Sequence, residues 1–376
     1  MDKENEHPAI PEIKELFRAG KIDRRDFLRS ATLLGLSAAA AYGFAGVSTK
    51  AQAANMPRGG EIRIAMRSQE LHSPATYSWV EQSNIARQVV EYLTRTGHDN
   101  VTTPYLLERW SPSKDLQTWD LHLRRDVKWH NGRAFTADDV VWNLKRVLDP
   151  ATGSSMLGLM KGYMLEAVET GEMKDGKPVM TRKLWREDAI EKIDDHTVRL
   201  NLKAPQLAIP EHLFHYPMLI LDPEEGGKFG VGSNGTGPFR LVSHAVGQEA
   251  ILEPAGSYWG EGPYVDRLRF LDLGDDMSAM LNAAASKQIH GTYSAPPNLV
   301  SSFQKLPHMT VYTVPTGTTA VARMKVNHKP FDDPRVRKAM RLAIEPSKVV
   351  ATALQGLGAA GEHHHVSPIH PEYAKL

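Results

Sequence analysis

The spacing of apolar positions changes period several times along the chain. Gly59-Gly60 leads into Glu61-Ile62-Arg63-Ile64-Ala65-Met66, an alternating run that predicts a strand entered through glycines. Ile85, Val89 and Leu93 fall at helical spacing, so residues 85–93 are expected to be helical. Trp119, Leu121 and Leu123 alternate with Asp120, His122 and Arg124, the pattern of a half-buried strand. After the turn pair Asn131-Gly132, Thr136 stands three positions before Asp139, a carboxylate variant of the capping box. The helix it opens turns Val140, Val141, Leu144 and Leu148 inward until Asp149-Pro150. Between residues 153 and 186 no period persists, and Gly171 and Asp175-Gly176 mark turns, so a loop-rich insertion is expected. Residues 189–193 and 198–202 predict a hairpin across Asp194-Asp195-His196. Residues 239–242, 265–271 and 289–293 read as extended, and 277–287 as helical. Residues 321–327 alternate and predict a strand. Asp333 and Pro334 then open a helix with Val336, Met340, Ala343 and Ile344 on one stripe. Pro346 ends it, and Ser347 caps a further helix over 348–355.

The start of the chain has a different character. Residues 1–22 are polar, with an amphipathic hint around Ile13 to Phe17. Asp23-Arg24-Arg25-Asp26-Phe27-Leu28-Arg29 precedes a run rich in Ala, Leu and Gly from Ala31 to Val47, and Ala51-Gln52-Ala53 offers small residues for cleavage. That order predicts a secretory signal cleaved near Ala53, and a periplasmic product. A membrane anchor is the rival, but the run is short and poor in Leu and Ile for a span of about 20 residues. The paired arginines before Phe27-Leu28 resemble a twin-arginine export signal, with Asp23 where Ser or Thr is usual and Arg29 where Lys is frequent. The twin-arginine or general export machinery is therefore an expected partner.

Composition narrows the function classes. A chain of 376 residues is expected to hold two or three domains, and 41% apolar with 24% charged residues is ordinary for a soluble globular protein. Outside the first 53 residues the positive and negative side chains balance, so no long-range attraction to nucleic acid is indicated. The absence of cysteine excludes disulfides, thiol catalysis and thiolate metal sites.

Several motifs share one resemblance. Asn327 to Ala339, read as N-x-K-P-F-D-D-P-R-V-R-K-A, resembles a signature of the extracellular solute-binding proteins of family 5, the peptide/nickel group. The run from Trp119 through Val127-Lys128-Trp129-His130 to Asp149-Pro150 is similar to the same family, with Trp129 and Asn131 for the more usual Phe and Asp. So are Gly235-Thr236-Gly237-Pro238-Phe239 and Tyr258-Trp259-Gly260-Glu261-Gly262-Pro263-Tyr264. The resemblance implies an α/β, periplasmic-binding-protein-like two-lobe clamshell of type II, with the extra subdomain of the peptide-binding group. Mapped onto this chain, residues 1–53 are the export signal, 54–96 with 235–314 the main part of lobe I, and 97–234 its smaller subdomain. Residues 315–376 are the hinge and the start of lobe II, which is expected to be incomplete because the family's last third has no counterpart. Gly317 suits the hinge, since glycine absorbs backbone change at little steric cost.

Candidate chemistry is sparse. Gly230-Val231-Gly232-Ser233-Asn234-Gly235 matches a dinucleotide fingerprint in letters only, because Gly237-Pro238 forbids the helix that must follow. His363, His364 and His365, flanked by Glu362 and His370, are weak metal candidates, and a solvated loop is the reading preferred. His212 and His215 lack a third ligand, and Asp194-Asp195, Asp275-Asp276 and Asp332-Asp333 suit turns and caps. No nucleophile elbow, phosphate loop or zinc-protease motif is present, so neither an enzyme nor a cofactor is expected. The resemblance implies a receptor of an ABC importer that takes oligopeptides or similar polar solutes into the interlobe cleft and delivers them to permease subunits in the inner membrane. Expected ligand contacts are Tyr77, Ser78 and Trp79, then Tyr293 and Ser294, then Thr316, Thr318 and Thr319. A nickel or metal-chelate receptor using His363 to His365, and an exported hydrolase, are the alternatives.

Overall fold

The computed structural model describes residues 6–46, 56–314, 316, 318–362, 366 and 373. Its helices are α1 (Ile10–Arg18), α2 (Arg24–Leu33), α3 (Ala38–Phe44), α4 (Val80–Ala86), α5 (Ala137–Val147), α6 (Met156–Met160), α7 (Ile209–His212), α8 (Met277–Ala285), α9 (Val300–Gln304), α10 (Pro334–Ala343) and α11 (Pro346–Ala353). The strands are β1 (Glu61–Ala65), β2 (Thr94–Thr96), β3 (Thr102–Pro104), β4 (Leu107–Pro112), β5 (Thr118–Leu123), β6 (Leu165–Lys174), β7 (Lys177–Leu184), β8 (Ile190–Asp194), β9 (Thr197–Asn201), β10 (Phe239–Ala245), β11 (Glu249–Pro254), β12 (Arg267–Leu271) and β13 (Gly291–Thr292). The chain forms two compact units, one ending at Gly274 and one beginning at Asp275.

Two sheets organise the first unit. In one, β10, β11 and β12 run as an antiparallel meander and β1 joins β12 in parallel, Glu61 opposite Arg267 and Ala65 opposite Leu271. The other is antiparallel in the order β4-β5-β9-β8. On β5 the alternation is realised: Trp119, Leu121 and Leu123 are buried in the main core. Helix α5 lies over this sheet with Val140, Leu144 and Leu148 buried, and Asp139 closes its capping box by accepting from the Thr136 amide at 2.9 Å.

A buried carboxylate ties the two sheet regions together. Glu91 is fully buried; its Oε1 accepts from the Tyr258 hydroxyl at 2.6 Å, and its Oε2 from Thr236 Oγ1 and Trp259 Nε1, both at 2.9 Å. Tyr105 completes the ring of donors, its hydroxyl 3.1 Å from that of Tyr258. Burial pushes the Glu91 carboxyl above the usual range, while the surrounding donors pull it back. Alongside, Gly237 N donates to Val89 O at 2.8 Å and Phe239 N to Gln88 O at 3.0 Å. A Cβ on Gly235 would overlap the Val89 carbonyl, so only glycine lets the two backbones approach this closely.

Three expectations are corrected. The helix predicted over 85–93 ends at Ala86, because the Gln88 and Val89 carbonyls bond to Phe239 and Gly237 instead of continuing a helical ladder. Residues 153–186 are not loop-rich: β6 and β7 form a long hairpin, with Asp175 and Gly176 both at positive φ in its turn. Its faces are mostly exposed, so alternation left no trace in the sequence. Residues 321–327 form no strand; Val321 and Val326 are exposed, and no face of the segment is buried.

In the second unit, α8 is capped by Asp276, whose side chain accepts from Ser278 N, and α10 by Asp333, which accepts from Arg335 N. Helix α11 begins one residue before the predicted cap: Glu345 stands at the N-cap, and Ser347 Oγ donates to it at 3.2 Å. Among the described residues neither α10 nor α11 has a buried side chain. No helix among the described residues is long and apolar enough to cross a membrane.

Two outcomes follow for the Glu91 knot. Gly235→Ala is expected to lower unfolding free energy by about 3 kcal/mol or more. Gly230→Ala, where a Cβ meets nothing within 4 Å, is expected to stay within about 0.5 kcal/mol in the same urea titration. Because the folded-state value of Glu91 is raised, its contribution is complete below the ordinary glutamate range and is lost as pH rises through that raised value. Glu91→Gln, which cannot titrate, should therefore gain stability relative to wild type with rising pH, as read from unfolding curves across pH.

Candidate functional site

The loop that leaves β1 and enters α4 is built to hold one aromatic ring in the open. Its near end is fixed by Ser68, whose amide donates to Asp272 Oδ2 at 2.8 Å and whose carbonyl accepts from Gly247 N at 2.7 Å. Its middle is fixed by Arg146, which donates to Ser73 Oγ and to Gly227 O. Gln82 braces the far end: its Oε1 accepts from Trp79 N at 3.2 Å, and its Nε2 donates to Glu70 O at 2.7 Å and lies 3.3 Å from His72 Nε2. The other ring nitrogen of His72 is 3.0 Å from Thr76 Oγ1, so one imidazole joins both limbs of the loop.

Of the predicted contacts, Tyr77, Ser78 and Trp79 share this loop but differ in placement. Tyr77 is 3% exposed, edge-on to His72 at 5.2 Å, and burial pushes its hydroxyl well above the usual phenol range. Trp79 is 59% exposed on a backbone held by Gln82, and Ser78 is exposed beside it. Three buried polar atoms of the same loop and of α4 have no hydrogen-bond partner among the described residues: Gln69 Oε1, Tyr77 Oη and Glu81 Oε2. Unpaired buried polar atoms are costly, and a hydrogen-bonding partner at each, an ordered water included, offsets that cost. The loop therefore presents an exposed aromatic face, and the same loop and α4 carry buried hydrogen-bonding capacity left unused among the described residues.

The remaining predicted contacts belong to the second unit. Tyr293 and Ser294 are exposed, following β13. Thr316 and Thr318 are exposed and Thr319 is half-buried, with Thr318 N donating to Thr316 Oγ1 at 3.3 Å. Pro315 and Gly317 of the predicted hinge, and His363, His364, His365 and His370, lie outside the described residues, as does the predicted cleavage site at Ala51 to Ala53. His212 and His215 are packing groups: His212 Nδ1 is 2.6 Å from the Tyr163 hydroxyl, and His215 lies over the Tyr216 ring at 4.5 Å. The acidic pairs serve turns and caps, Asp194 accepting from His196 N and Asp195 pairing with Lys192. Sequence reasoning missed Gln69, His72, Glu81 and Gln82. Only Gln82 left a signal, as a glutamine three positions after the residue that precedes a helix.

The family model for bacterial extracellular solute-binding proteins, family 5 Middle, matches residues 102–376. The periplasmic oligopeptide-binding protein OppA of Haemophilus influenzae is 26% identical over 322 residues, covering 82% of this chain and 58% of its own length. The dipeptide-binding protein DppE of Bacillus subtilis is 29% identical over 281 residues, covering 73% of this chain and 48% of its own. The chain thus spans about half the length of these curated relatives. Among solved structures, Haemophilus influenzae OppA in complex with the peptide RPPGFSPFR has a TM-score of 0.61 at 21% identity, over 80% of this chain and 59% of that one. NikZ of Campylobacter jejuni in complex with Ni(L-His) has a TM-score of 0.63 at 20% identity, over 80% and 56%. These likenesses show the mixed α/β fold of periplasmic binding proteins. With a family match over most of its length, the chain belongs to the bacterial extracellular solute-binding proteins, family 5.

Proposed function

We propose that the chain is the solute-binding receptor of an ABC importer, acting in the periplasm after removal of its export signal near Ala53. It captures oligopeptides or similarly sized polar solutes and passes them unchanged to permease subunits in the membrane. The observation that carries this reading is the braced loop of the first unit, which holds Trp79 exposed and which, with the helix after it, contains Gln69 Oε1, Tyr77 Oη and Glu81 Oε2, unpartnered among the described residues. An extended peptide presents amide donors and acceptors at close intervals along its backbone, and its side chains stack on an aromatic face. The peptide receptors OppA and DppE among the relatives support the same solute class. Tyr293, Ser294, Thr316, Thr318 and Thr319 are proposed solute contacts of the second unit.

Mass spectrometry of small molecules released on denaturing the purified protein tests the class of solute. Peptides are expected; a nickel or iron complex favours the metal-chelate reading, and hydrolysis of added peptides by the native protein favours the hydrolase. For a released peptide, Trp79→Ala is expected to weaken binding about tenfold, roughly 1.4 kcal/mol, in calorimetric titration. Since the ring is mostly exposed, the melting temperature should stay where it is.

A further inference from the structure

Residues 6–46 are bound to the rest of the first unit by specific contacts. Helices α1, α2 and α3 enclose a separate apolar cluster, in which Phe27 lies between Phe17 at 4.7 Å and Phe44 at 5.1 Å. The cluster extends to Val101, Leu116 and Leu207, all outside the segment. Polar bonds fix its position. Arg29 Nε and Nη2 donate to Glu211 Oε1 and Oε2 at 2.7 and 3.0 Å, a bidentate pair across 182 positions. Trp110 Nε1 donates to Leu33 O at 3.1 Å in a buried setting, and the Tyr42 hydroxyl bonds to Asp99. Gly35 lies against the Trp110 carbonyl, where a Cβ would come within 3.1 Å.

This arrangement has a consequence for the paired arginines. Asp23 accepts from Asp26 N at 2.8 Å and so caps α2, placing Arg24 and Arg25 in its first turn. Arg24 is exposed and Arg25 half-buried, whereas Phe27 and Leu28, the apolar pair that follows, are 0% and 5% exposed. We propose that the N-terminal helices are a latch: in the folded, uncleaved chain they hold the export determinant against the first unit, with Phe27 and Leu28 out of reach. Reading that determinant requires the segment to detach and break the Arg29–Glu211 and Leu33–Trp110 bonds. Apparent affinity for an export receptor is then scaled by the detached fraction, so docking of the N-terminal helices competes with export. The proposal rests on the export-signal reading of residues 1–53.

Hydrogen exchange of the amides in Arg24–Leu33, measured on the complete uncleaved chain, tests the docking. Protection is expected in the wild type. Glu211→Ala should speed exchange about fivefold, and Arg29→Glu combined with Glu211→Arg should restore protection. Wild-type amides exchanging as in an unstructured peptide would overturn the latch. Pulse-labelled processing in cells tests the competition: Glu211→Ala should be exported faster than wild type, and faster exchange without faster export would overturn the regulatory role. Replacing Arg24 and Arg25 by lysine should block export. Normal export of that variant would sink the twin-arginine reading while leaving the exchange result to stand or fall alone.

Discussion

The first unit depends on one close approach, where the segment around Gly235 and Gly237 lies against the backbone of Gln88 and Val89. Everything nearby is arranged to make it possible. Glycine removes the side chain that would collide, and Gly237 and Phe239 amides take up carbonyls that an interrupted helix leaves open. Two residues further on, Glu91 gathers Thr236, Tyr258 and Trp259. Two stretches that look independent in the sequence, Gly235 to Phe239 and Tyr258 to Tyr264, are thus two sides of one buried polar knot. Such a knot specifies an arrangement sharply, because several donors lose a shared acceptor at once if the carboxylate moves.

That same constraint governs what could be read beforehand. Where a side chain's burial is set within its own element, the sequence was sufficient: the alternation on β5, the capping box of α5 and the caps at Asp276 and Asp333 all rest on neighbours within a few residues. The helix expected over 85–93 failed for a non-local reason. Ile85, Val89 and Leu93 are all buried as their spacing implies, but the backbone carrying them bonds to a segment some 150 positions away. The β6–β7 hairpin was hidden for the opposite reason, since beyond its base at Leu165 and Leu184 it is mostly exposed and has little apolar side to betray its period.

The candidate site was legible in outline only. An aromatic and hydroxyl loop after the first strand drew attention to Tyr77, Ser78 and Trp79 together, yet their burial separates their roles. Tyr77 is part of the packing, and Trp79 is the group on display. What makes the display rigid is the Gln82–His72–Thr76 chain of contacts, assembled from residue types common in any loop. Rigid presentation lowers the entropy lost when a ligand is captured, and no composition or spacing rule reports it.

The parallel pairing of β1 with β12 has a consequence for how the protein is made. Gly60 and Asp266 bond across 206 positions at the mouth of that pair. At roughly 5–20 residues per second, synthesis leaves about ten to forty seconds between the emergence of the two strands. During that interval β1 has no neighbour on its β12 side, and the first sheet cannot close. Until Arg267 to Leu271 have emerged, that edge of β1 keeps its backbone groups without their partner strand.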